Sequence, residues 1–170
     1  MAFIKITELF SVSCEGTPYP NEIKEVKLPD LKRKLDPYRA GGMDSPVPTD
    51  LGGEALECEL TFGGSVTPAQ VTKDWTSKKV MGKTWTIRGY HRDQETGVGT
   101  GVEIVIRGRH NIDSPSLKPG EAGESKVKLS LAYYKYIEDG KTLIEIEPLA
   151  HKHIVDGEDK LADARNFIGL

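Results

Sequence analysis

Residues 56–62 read Leu-Glu-Cys-Glu-Leu-Thr-Phe, a segment in which apolar and polar side chains alternate at every position. Because successive side chains of a β-strand point to opposite faces, this period of two predicts a strand with one buried and one polar face. The polar face carries Glu57 and Glu59, and the buried face carries Cys58. The segment therefore predicts a half-buried strand of an antiparallel sheet.

Similar alternation recurs along the chain, and most of the 18 glycines and 10 prolines lie between the alternating segments. Turn residues that separate short apolar runs are typical of an antiparallel all-β protein. Within the second segment, a phase change and Pro29 predict a bulge, a sheet edge or a break. Strands are predicted over residues 4–14, 22–35, 56–62, 81–110 as one hairpin, 126–133, 143–146 and 151–155.

One well-specified helix is predicted over residues 68–78. Thr67 stands at the N-cap position, a proline follows at the first helical position, and Gln70 comes three residues after the cap. Val71 and Trp75 are four residues apart, so they would share one packing face. A second, short helix is compatible with the apolar spacing of residues 161–167.

Residues 36–55 contain three prolines and four glycines and show little periodicity. A long segment of this kind in a small domain is usually functional or disordered. Its apolar residues argue against a simple solvated linker, and they are Tyr38, Met43, Val47 and Leu51. Two interpretations are open: an ordered arm that packs on another subunit, or an Ω-loop folded on its own domain.

Length and composition limit the class of protein. The chain has 170 residues and a formal net charge of −3, which predicts one domain over residues 1–170 and excludes a generally basic nucleic-acid binder. No apolar run reaches the ~20 residues of a membrane helix, and the first residues do not form a secretion signal. Cys14 and Cys58 alternate with apolar residues, as buried thiols of a cytoplasmic protein would.

The search for catalytic or metal-binding motifs gives little. His151 and His153 would lie on one strand face, but no neighbouring ligand pattern completes a metal site. Arginines at 88, 92, 107 and 109 would form a phosphate-binding ribbon only if the nearby carboxylates did not pair with them, and cross-strand ion pairs are the preferred interpretation. We expect no catalytic residue, no cofactor and no metal.

Residues 28–44 read Leu-Pro-Asp-Leu-Lys-Arg-Lys-Leu-Asp-Pro-Tyr-Arg-Ala-Gly-Gly-Met-Asp. This stretch resembles the signature of the major tail tube protein of contractile-tailed bacteriophages and R-type tailocins. Further similarities follow in the same order along the chain, at residues 107–113, 118–121, 133–140, 145–147 and 159–170. The resemblance therefore covers nearly the whole chain.

The resemblance implies a tail-tube fold: two antiparallel sheets packed as a sandwich or partial barrel, with a flanking helix and a long assembly loop. Six copies are expected to close into a ring, and stacked rings would form a conduit for DNA or ions without binding DNA specifically. The expected partners, besides further copies, are the sheath, tape-measure, baseplate and tail-terminator proteins. The expected location is the virion tail or a tailocin particle, assembled in the bacterial cytoplasm, with no membrane partner.

The resemblance also suggests which residues make contacts between subunits. The long inter-subunit loop spans residues 36–55 and the C-terminal assembly tail spans residues 159–170. Glu57 and Glu59 are candidates for the lumen, although Lys126 and Lys128 on another polar face leave the choice of face open. The candidate inter-subunit residues are Tyr38, Arg39, Gly41, Gly42, Met43, Asp44, Arg165, Asn166, Ile168 and Leu170.

Two other classes of function remain open on sequence grounds. One is the ring-forming tube protein of a type VI secretion or extracellular injection system, with the same architecture and different cargo. The other is a stand-alone β-sandwich module that binds carbohydrate, which would require a monomer with an exposed Trp or Tyr platform.

Overall fold

The computed structural model describes residues 4–170; residues 1–3, with which the predicted domain begins and which the secretion-signal argument used, lie outside the described residues. The described chain is mostly β-structure with two short α-helices and one 3-10 turn. The strands are β1 (Lys5–Cys14), β2 (Thr17–Pro18), β3 (Ile23–Lys27), β4 (Arg33–Tyr38), β5 (Val47–Gly53), β6 (Glu57–Gly63), β7 (Lys83–Asp93), β8 (Gly99–Asp113), β9 (Glu124–Glu138), β10 (Lys141–Glu147), β11 (Lys152–Val155) and β12 (Glu158–Asp159). The helices are α1 (Ala69–Asp74) and α2 (Ala162–Ile168), and the 3-10 turn is Pro148–Ala150.

A ten-stranded antiparallel sheet branches at β9. Eight of its strands lie in the order β12-β11-β10-β9-β8-β7-β1-β2. β8 pairs along one edge of β9, while the other edge of β9 is shared: β6 pairs with its first half and β10 with its second half. β3 then pairs with β6. The sheet therefore has two arms, one of β6 and β3 and the other of β8, β7, β1 and β2, and is not a closed barrel.

The two arms face each other across the hydrophobic core. Tyr19, which follows β2, contacts Phe62 of β6 edge-on at 5.9 Å and stacks on Trp85 of β7 at 6.0 Å between ring centroids. Leu60 and Ile106 are fully buried between the arms. The alternation in the sequence explains this core, because each strand contributes every second side chain to it.

Both cysteines are buried free thiols, as the sequence predicted. Burial raises the pKa of Cys14 to about 11 and that of Cys58 to about 12, because a thiolate is poorly solvated in the core. Both groups are therefore protonated at neutral pH and are unreactive packing residues.

The main features of the predicted fold are confirmed. The architecture is mainly β and antiparallel, with two sheets and flanking helices, and residues 83–113 form the predicted long hairpin of β7 and β8. In the first predicted strand, the register of β1 against β7 shifts between Thr7 and Leu9. The short strand near residue 153 and the short C-terminal helix are also present.

The prediction of one strand over residues 22–35 is wrong. The ladder ends at Lys27, and the chain resumes a β-conformation only at Arg33. Pro29 lies between the two strands and has no backbone N–H to donate. Of the bulge, sheet edge and break that the sequence allowed, the structure has the break.

The expectation that residues 36–55 lack secondary structure is also wrong. β4 and β5 form an antiparallel hairpin, with Tyr38 opposite Val47 and Pro37 opposite Pro48, and this hairpin is the second, two-stranded sheet. Prolines at those positions weaken the strand signal in the sequence. A two-stranded ribbon tolerates them because each strand needs hydrogen bonds on only one edge.

The predicted helix over residues 68–78 is shorter than expected. α1 spans Ala69–Asp74, and its N-cap residue is Pro68, with no side-chain hydrogen bond from Thr67. Val71 is buried as predicted, whereas Trp75 is 60% exposed and does not pack on the sheet. The helix therefore ends after fewer than two turns, with Trp75 as its C-cap residue.

The predicted alternation of β9 is correct only for its first half. Between residues 131 and 133, β9 has one more residue than β8, since Tyr133 pairs with Arg107 and Leu131 pairs with Gly108. This bulge reverses the phase, so Ala132 and Tyr134 are buried although uninterrupted alternation from Val127 and Leu129 would put Leu131 and Tyr133 there instead.

Gly108 permits the close approach of β8 to β9 at this bulge. A Cβ atom at Gly108 would lie 2.1 Å from the carbonyl oxygen of Ser130, whereas one at Gly101 in the same strand would have its nearest neighbour at 4.0 Å. We expect Gly108→Ala to lower the free energy of unfolding by about 1–3 kcal/mol. The matched control Gly101→Ala should change it by less than about 0.5 kcal/mol. Urea denaturation of the two variants measures the difference, and equal stabilities would contradict the close packing at the bulge.

Candidate assembly interface

The β4–β5 hairpin projects from the sheet with little support from its own subunit. All side chains of β4 are exposed, and so are nearly all of those of β5. An ion pair within the hairpin stiffens its base: Arg33 Nη2 lies 2.7 Å from Asp50 Oδ2, and Asp50 Oδ1 accepts the backbone N–H of Gly52 at 2.8 Å. The pKa of Asp50 is lowered, first by its hydrogen bond from Arg33 and then by that from Gly52. The hairpin is thus a formed structural element.

One face of the hairpin is apolar and open to solvent. Tyr38 and Val47 are cross-strand partners, and Leu51 lies on the same face of β5 as Val47 because strand residues alternate. All three side chains are more than half exposed. Apolar side chains grouped on an exposed hairpin mark a surface for protein contact.

The tip of the hairpin is held by local hydrogen bonds. Met43 N–H donates to the carbonyl oxygen of Ala40 at 3.2 Å, and Arg39 Nε donates to the carbonyl oxygen of Met43 at 3.1 Å. Gly42 has φ +88°, a conformation that residues with a side chain rarely adopt. The structure thus brings the predicted loop residues from 38 to 44 together at one exposed tip.

The C-terminal helix α2 presents a second apolar surface. Gly169 ends the helix at φ 80°, and the backbone N–H of Leu170 donates to the carbonyl oxygen of Arg165 at 3.0 Å. Phe167 is 93% exposed, and Ile168 and Leu170 are each more than 60% exposed. Among the predicted tail residues, Ile168 and Leu170 are therefore accessible to a partner, and Asn166 is exposed beside them.

Phe167 belongs to this surface but was not among the predicted assembly residues. Its helical spacing from Leu161 and Ala164 indicated only a packing residue. The signal that finds it is the number of apolar residues in such a short tail, since one small helix face cannot bury all of them on its own subunit.

Arg165 makes its contacts within the subunit. Its Nη2 lies 2.8 Å from Asp159 Oδ2, and its Nη1 donates to the carbonyl oxygen of His151 at 3.0 Å. The arginine therefore fastens α2 to the β11–β12 region. The predicted contact of Arg165 with another subunit stays a prediction; within the subunit its guanidinium lies at the base of the tail.

A groove of about 440 Å³ separates the base of the hairpin from the sheet. Its lining is largely apolar and comes from the hairpin base, from β9 and β10 and from the residue before α2; it includes Leu31, Leu56, Leu131, Ile144, Ile146 and Leu161. The hairpin leaves the sheet here, and so it does not cover these side chains completely.

The polar face of β6 contains both signs of charge. Glu59 Oε1 lies 3.0 Å from Lys126 Nζ, and Lys128 Nζ lies 2.9 Å from Asp113 Oδ2. Glu57 is exposed beside them. In the sequence, these two lysines left the choice of lumen face undecided. The structure places them on the same surface as the two glutamates, and each lysine is paired with a carboxylate.

The other candidate sites lose support. His151 has φ 51° and precedes β11, so it does not share a strand face with His153 as expected. Within residues 4–170, no group of three His, Cys, Asp or Glu side chains is arranged to hold a metal ion. Arg88 pairs with Glu103 and Arg92 with Glu8, each at 2.7 Å, which confirms cross-strand pairing for these two arginines. Neither helix in this part of the chain is long and apolar enough to span a membrane.

Comparison with known proteins identifies the class. A sequence profile of the Phage tail tube protein FII family matches residues 5–169. The tail tube protein of Escherichia phage P2 is 35% identical over 173 residues and is covered completely, as is this chain. The major tail tube protein of Serratia phage KSP20 is 30% identical over 166 residues, which cover 96% of this chain and 94% of the relative. The chain belongs to the phage tail tube protein FII family.

Solved structures with a similar fold come from contractile injection systems. A chain of the PVC sheath-tube complex in the extended state has a TM-score of 0.54 at 16% identity, covering 76% of this chain and 87% of its own. A chain of the PVC sheath/tube terminator has a TM-score of 0.53 at 17% identity, covering 78% and 94%. These similarities show a shared fold.

The attachment of α2 depends on Arg165 and on the charge of Asp159. The pKa of Asp159 is lowered, first because the backbone N–H of Leu161 donates to it at 3.0 Å and then because Arg165 does. A carboxylate with a lowered pKa stabilises the attached state at neutral pH, and this contribution is lost as the pH falls from the ordinary aspartate pKa through the lowered one. We expect Arg165→Ala to release α2 at pH 7, and the wild-type protein to release it at low pH.

Limited proteolysis measures this release as faster cleavage after residue 157, with the near-ultraviolet circular dichroism of the core unchanged. Lys160→Ala is the control, because Lys160 pairs only with its neighbour Glu158. Equal protection of the tail in Arg165→Ala and the wild type would contradict the anchoring role.

Proposed function

We propose that this protein is a structural, non-enzymatic protomer of the inner tail tube of a contractile phage tail or tailocin. The observation that carries the proposal is membership of the tail tube family over residues 5–169. The apolar hairpin face and the exposed α2 side chains agree with it, because a protein that works only in an assembly exposes contact surfaces as a free chain.

We propose that six copies close into a ring and that rings stack into a hollow conduit. Two free strand edges support this arrangement. Among the described strands, β3 pairs only with β6, and the outer edge of β1 is covered by the two residues of β2 alone. Unpaired edges tend to associate with other strands, and ring closure satisfies them without leaving an open end.

The hairpin and the tail are the proposed contacts between copies. In the hairpin these are Tyr38, Arg39, Gly41, Gly42, Met43 and Asp44, and in the tail they are Asn166, Ile168 and Leu170, with Arg165 as the anchor of the tail. Exposed apolar residues at Tyr38 and Ile168 gain free energy when a second copy removes them from water.

Glu57 and Glu59 are proposed to face the lumen. A passing DNA must not be held by the wall, so unpaired positive charge is unfavourable there. The pairing of Lys126 with Glu59 and of Lys128 with Asp113 meets this requirement, because each lysine already has a carboxylate partner.

The proposed partners are further copies, the sheath, the tape-measure protein inside the tube during assembly, and the baseplate and tail-terminator proteins at its ends. Assembly is proposed to take place in the host cytoplasm, and the finished protein is part of the particle. Both buried cysteines are free thiols, which agrees with a reducing compartment.

A tube protein of an extracellular injection system is the alternative. The fold similarity to the PVC sheath-tube complex favours it as a second candidate. The chemistry of the protomer would be the same in both cases, and only the cargo and the neighbouring proteins would differ.

Negative-stain electron microscopy of the purified protein over a range of concentration and salt tests the proposal. We expect rings or hollow rods of uniform width. A protein that remains monomeric at high concentration, even after preformed tail ends are added as nuclei, would contradict the proposed function.

Shortening the hairpin should separate folding from assembly. We expect a variant with residues 37–48 replaced by Asn-Gly to keep the thermal unfolding temperature of the unassembled wild type within a few degrees, because the hairpin contributes no residue to the buried core. The same variant should form no rods. Normal rods from this variant would contradict the assembly role of the hairpin.

A further inference from the structure

Exposed charged side chains of opposite sign lie near the two ends of β7. β7 begins at Lys83 next to the α1 segment and ends at Asp93, where the turn to β8 follows. The 11 residues of β7 span about 33 Å, so the two ends are too far apart to neutralise each other. Each end therefore presents its own charge to a partner.

The end beside α1 is basic. Residues 65–83 contain four lysines and one aspartate. Lys83 Nζ pairs with Asp74 Oδ2 at 2.6 Å, and the other three lysines are exposed and form no ion pair within the described chain. These three lysines and the exposed Trp75 are called the basic end, and they are Lys73, Lys78 and Lys79.

The basic end is held in place by the sheet. Arg109 Nη2 of β8 donates to the carbonyl oxygen of Lys78 at 2.9 Å, and His110 Nε2 lies 2.9 Å from the carbonyl oxygen of Val71. A cavity of about 270 Å³ beside Trp75 is lined in part by Lys79 and Arg109. Its two carboxylates, Glu15 and Asp74, both pair with Lys83. The surface is thus an anchored one that combines positive charge, an aromatic ring and a concavity.

The opposite end of the strands is acidic. Glu95 lies in the β7–β8 turn and Asp139 in the β9–β10 turn, and both are exposed without an ion pair in residues 4–170. Asp139 Oδ1 accepts the N–H of Gly101 at 2.9 Å, which holds the second turn against the start of β8. We call these two carboxylates the acidic end, together with Val98, which is exposed in the β7–β8 turn. Other acidic residues here already have basic partners, such as Glu138 with Lys5.

We propose that the basic end of one copy docks on the acidic end of the next copy along the tube. This inference rests on the proposed function and identifies the contact that stacks one ring on another. Lysines of one copy face carboxylates of the next, and Trp75 packs against Val98. Because the two surfaces differ, the contact is heterologous and open-ended, and like ends repel. The tube therefore grows with one polarity.

The apolar residues favour a protein partner over a nucleic acid for the basic end. Val66 and Val80 are exposed in the same segment as Trp75 and the lysines, so this segment is an apolar as well as a basic patch. DNA phosphates would be bound by charge alone and gain nothing from this patch. A second copy offers an apolar side chain and a negative charge on one surface, because Val98 is exposed in the same turn as Glu95.

Charge reversal at each end, alone and together, tests the proposal. The basic-end variant is Lys73→Glu with Lys78→Glu and Lys79→Glu. The acidic-end variant is Glu95→Lys with Asp139→Asn, which keeps the acceptor for Gly101. Each variant alone should raise the critical concentration for rod formation at least tenfold, measured by light scattering and electron microscopy in 50 mM NaCl. The variant that carries both sets should recover most of this loss. For the wild type, 500 mM NaCl should also raise the critical concentration.

The matched control replaces the same three lysines by arginine, which keeps their charge and should leave the critical concentration within twofold of the wild type. Recovery in the combined variant shows that the reversed chains fold.

A wild-type critical concentration in the basic-end variant, or no recovery in the combined variant, would overturn the docking contact while the proposed function stands. If the wild type forms neither rings nor rods, the proposed function fails and the docking contact with it. If wild-type rings bind a short DNA duplex that basic-end rings do not, and stacking is equal, the lysines serve nucleic acid instead.

Discussion

The shared edge of β9 is the constraint on which the rest of the structure depends. One strand of 15 residues pairs with β8 on one side and with both β6 and β10 on the other. Because β6 takes only the first half of that edge, the sheet must fork where β10 takes over. The bulge at Ala132 marks this position, and Gly108 lets β8 follow it at close range. The fork encloses the core between the two arms and directs the β4–β5 hairpin away from it.

This division of the chain separates stability from assembly. Alternating strand residues fill one core, and complete burial of each large apolar side chain contributes about 1.5–3 kcal/mol. The hairpin and α2 contribute no fully buried residue to that core, and their apolar side chains remain in water in the free chain. A second copy that covers Tyr38 or Phe167 gains the same free energy per side chain. Association therefore uses the same physical force as folding, applied to residues that folding leaves exposed.

Charge has a different role from apolar contact in this molecule. On the strand faces, most charged side chains find a partner of opposite sign, such as Arg88 with Glu103 or Lys126 with Glu59. Exposed pairs of this kind contribute little to stability, but they cancel the charge of the face. At the two ends of β7 the exposed charges without an ion pair differ in sign, with Lys73, Lys78 and Lys79 near one end and Glu95 near the other. A difference in charge between the two ends matters for a subunit that assembles with identical copies, because it determines which surfaces of two copies attract each other.

The sequence alone determined the strand faces, the buried cysteines and the β7–β8 hairpin, because these depend on local alternation and on turn residues. It also pointed to the hairpin and the tail through apolar residues such as Tyr38 and Ile168 that no strand pattern explained. Only the tertiary structure decided that residues 33–53 form a ribbon and that Trp75 stays exposed. It also decided that Arg165 pairs with Asp159 and that Phe167 is the most exposed of the large apolar residues in the tail. Each of these depends on which distant strand or loop lies beside the residue. The bulge in β9 and the short α1 determine which residues become neighbours. Those neighbours cannot be predicted from the local sequence pattern.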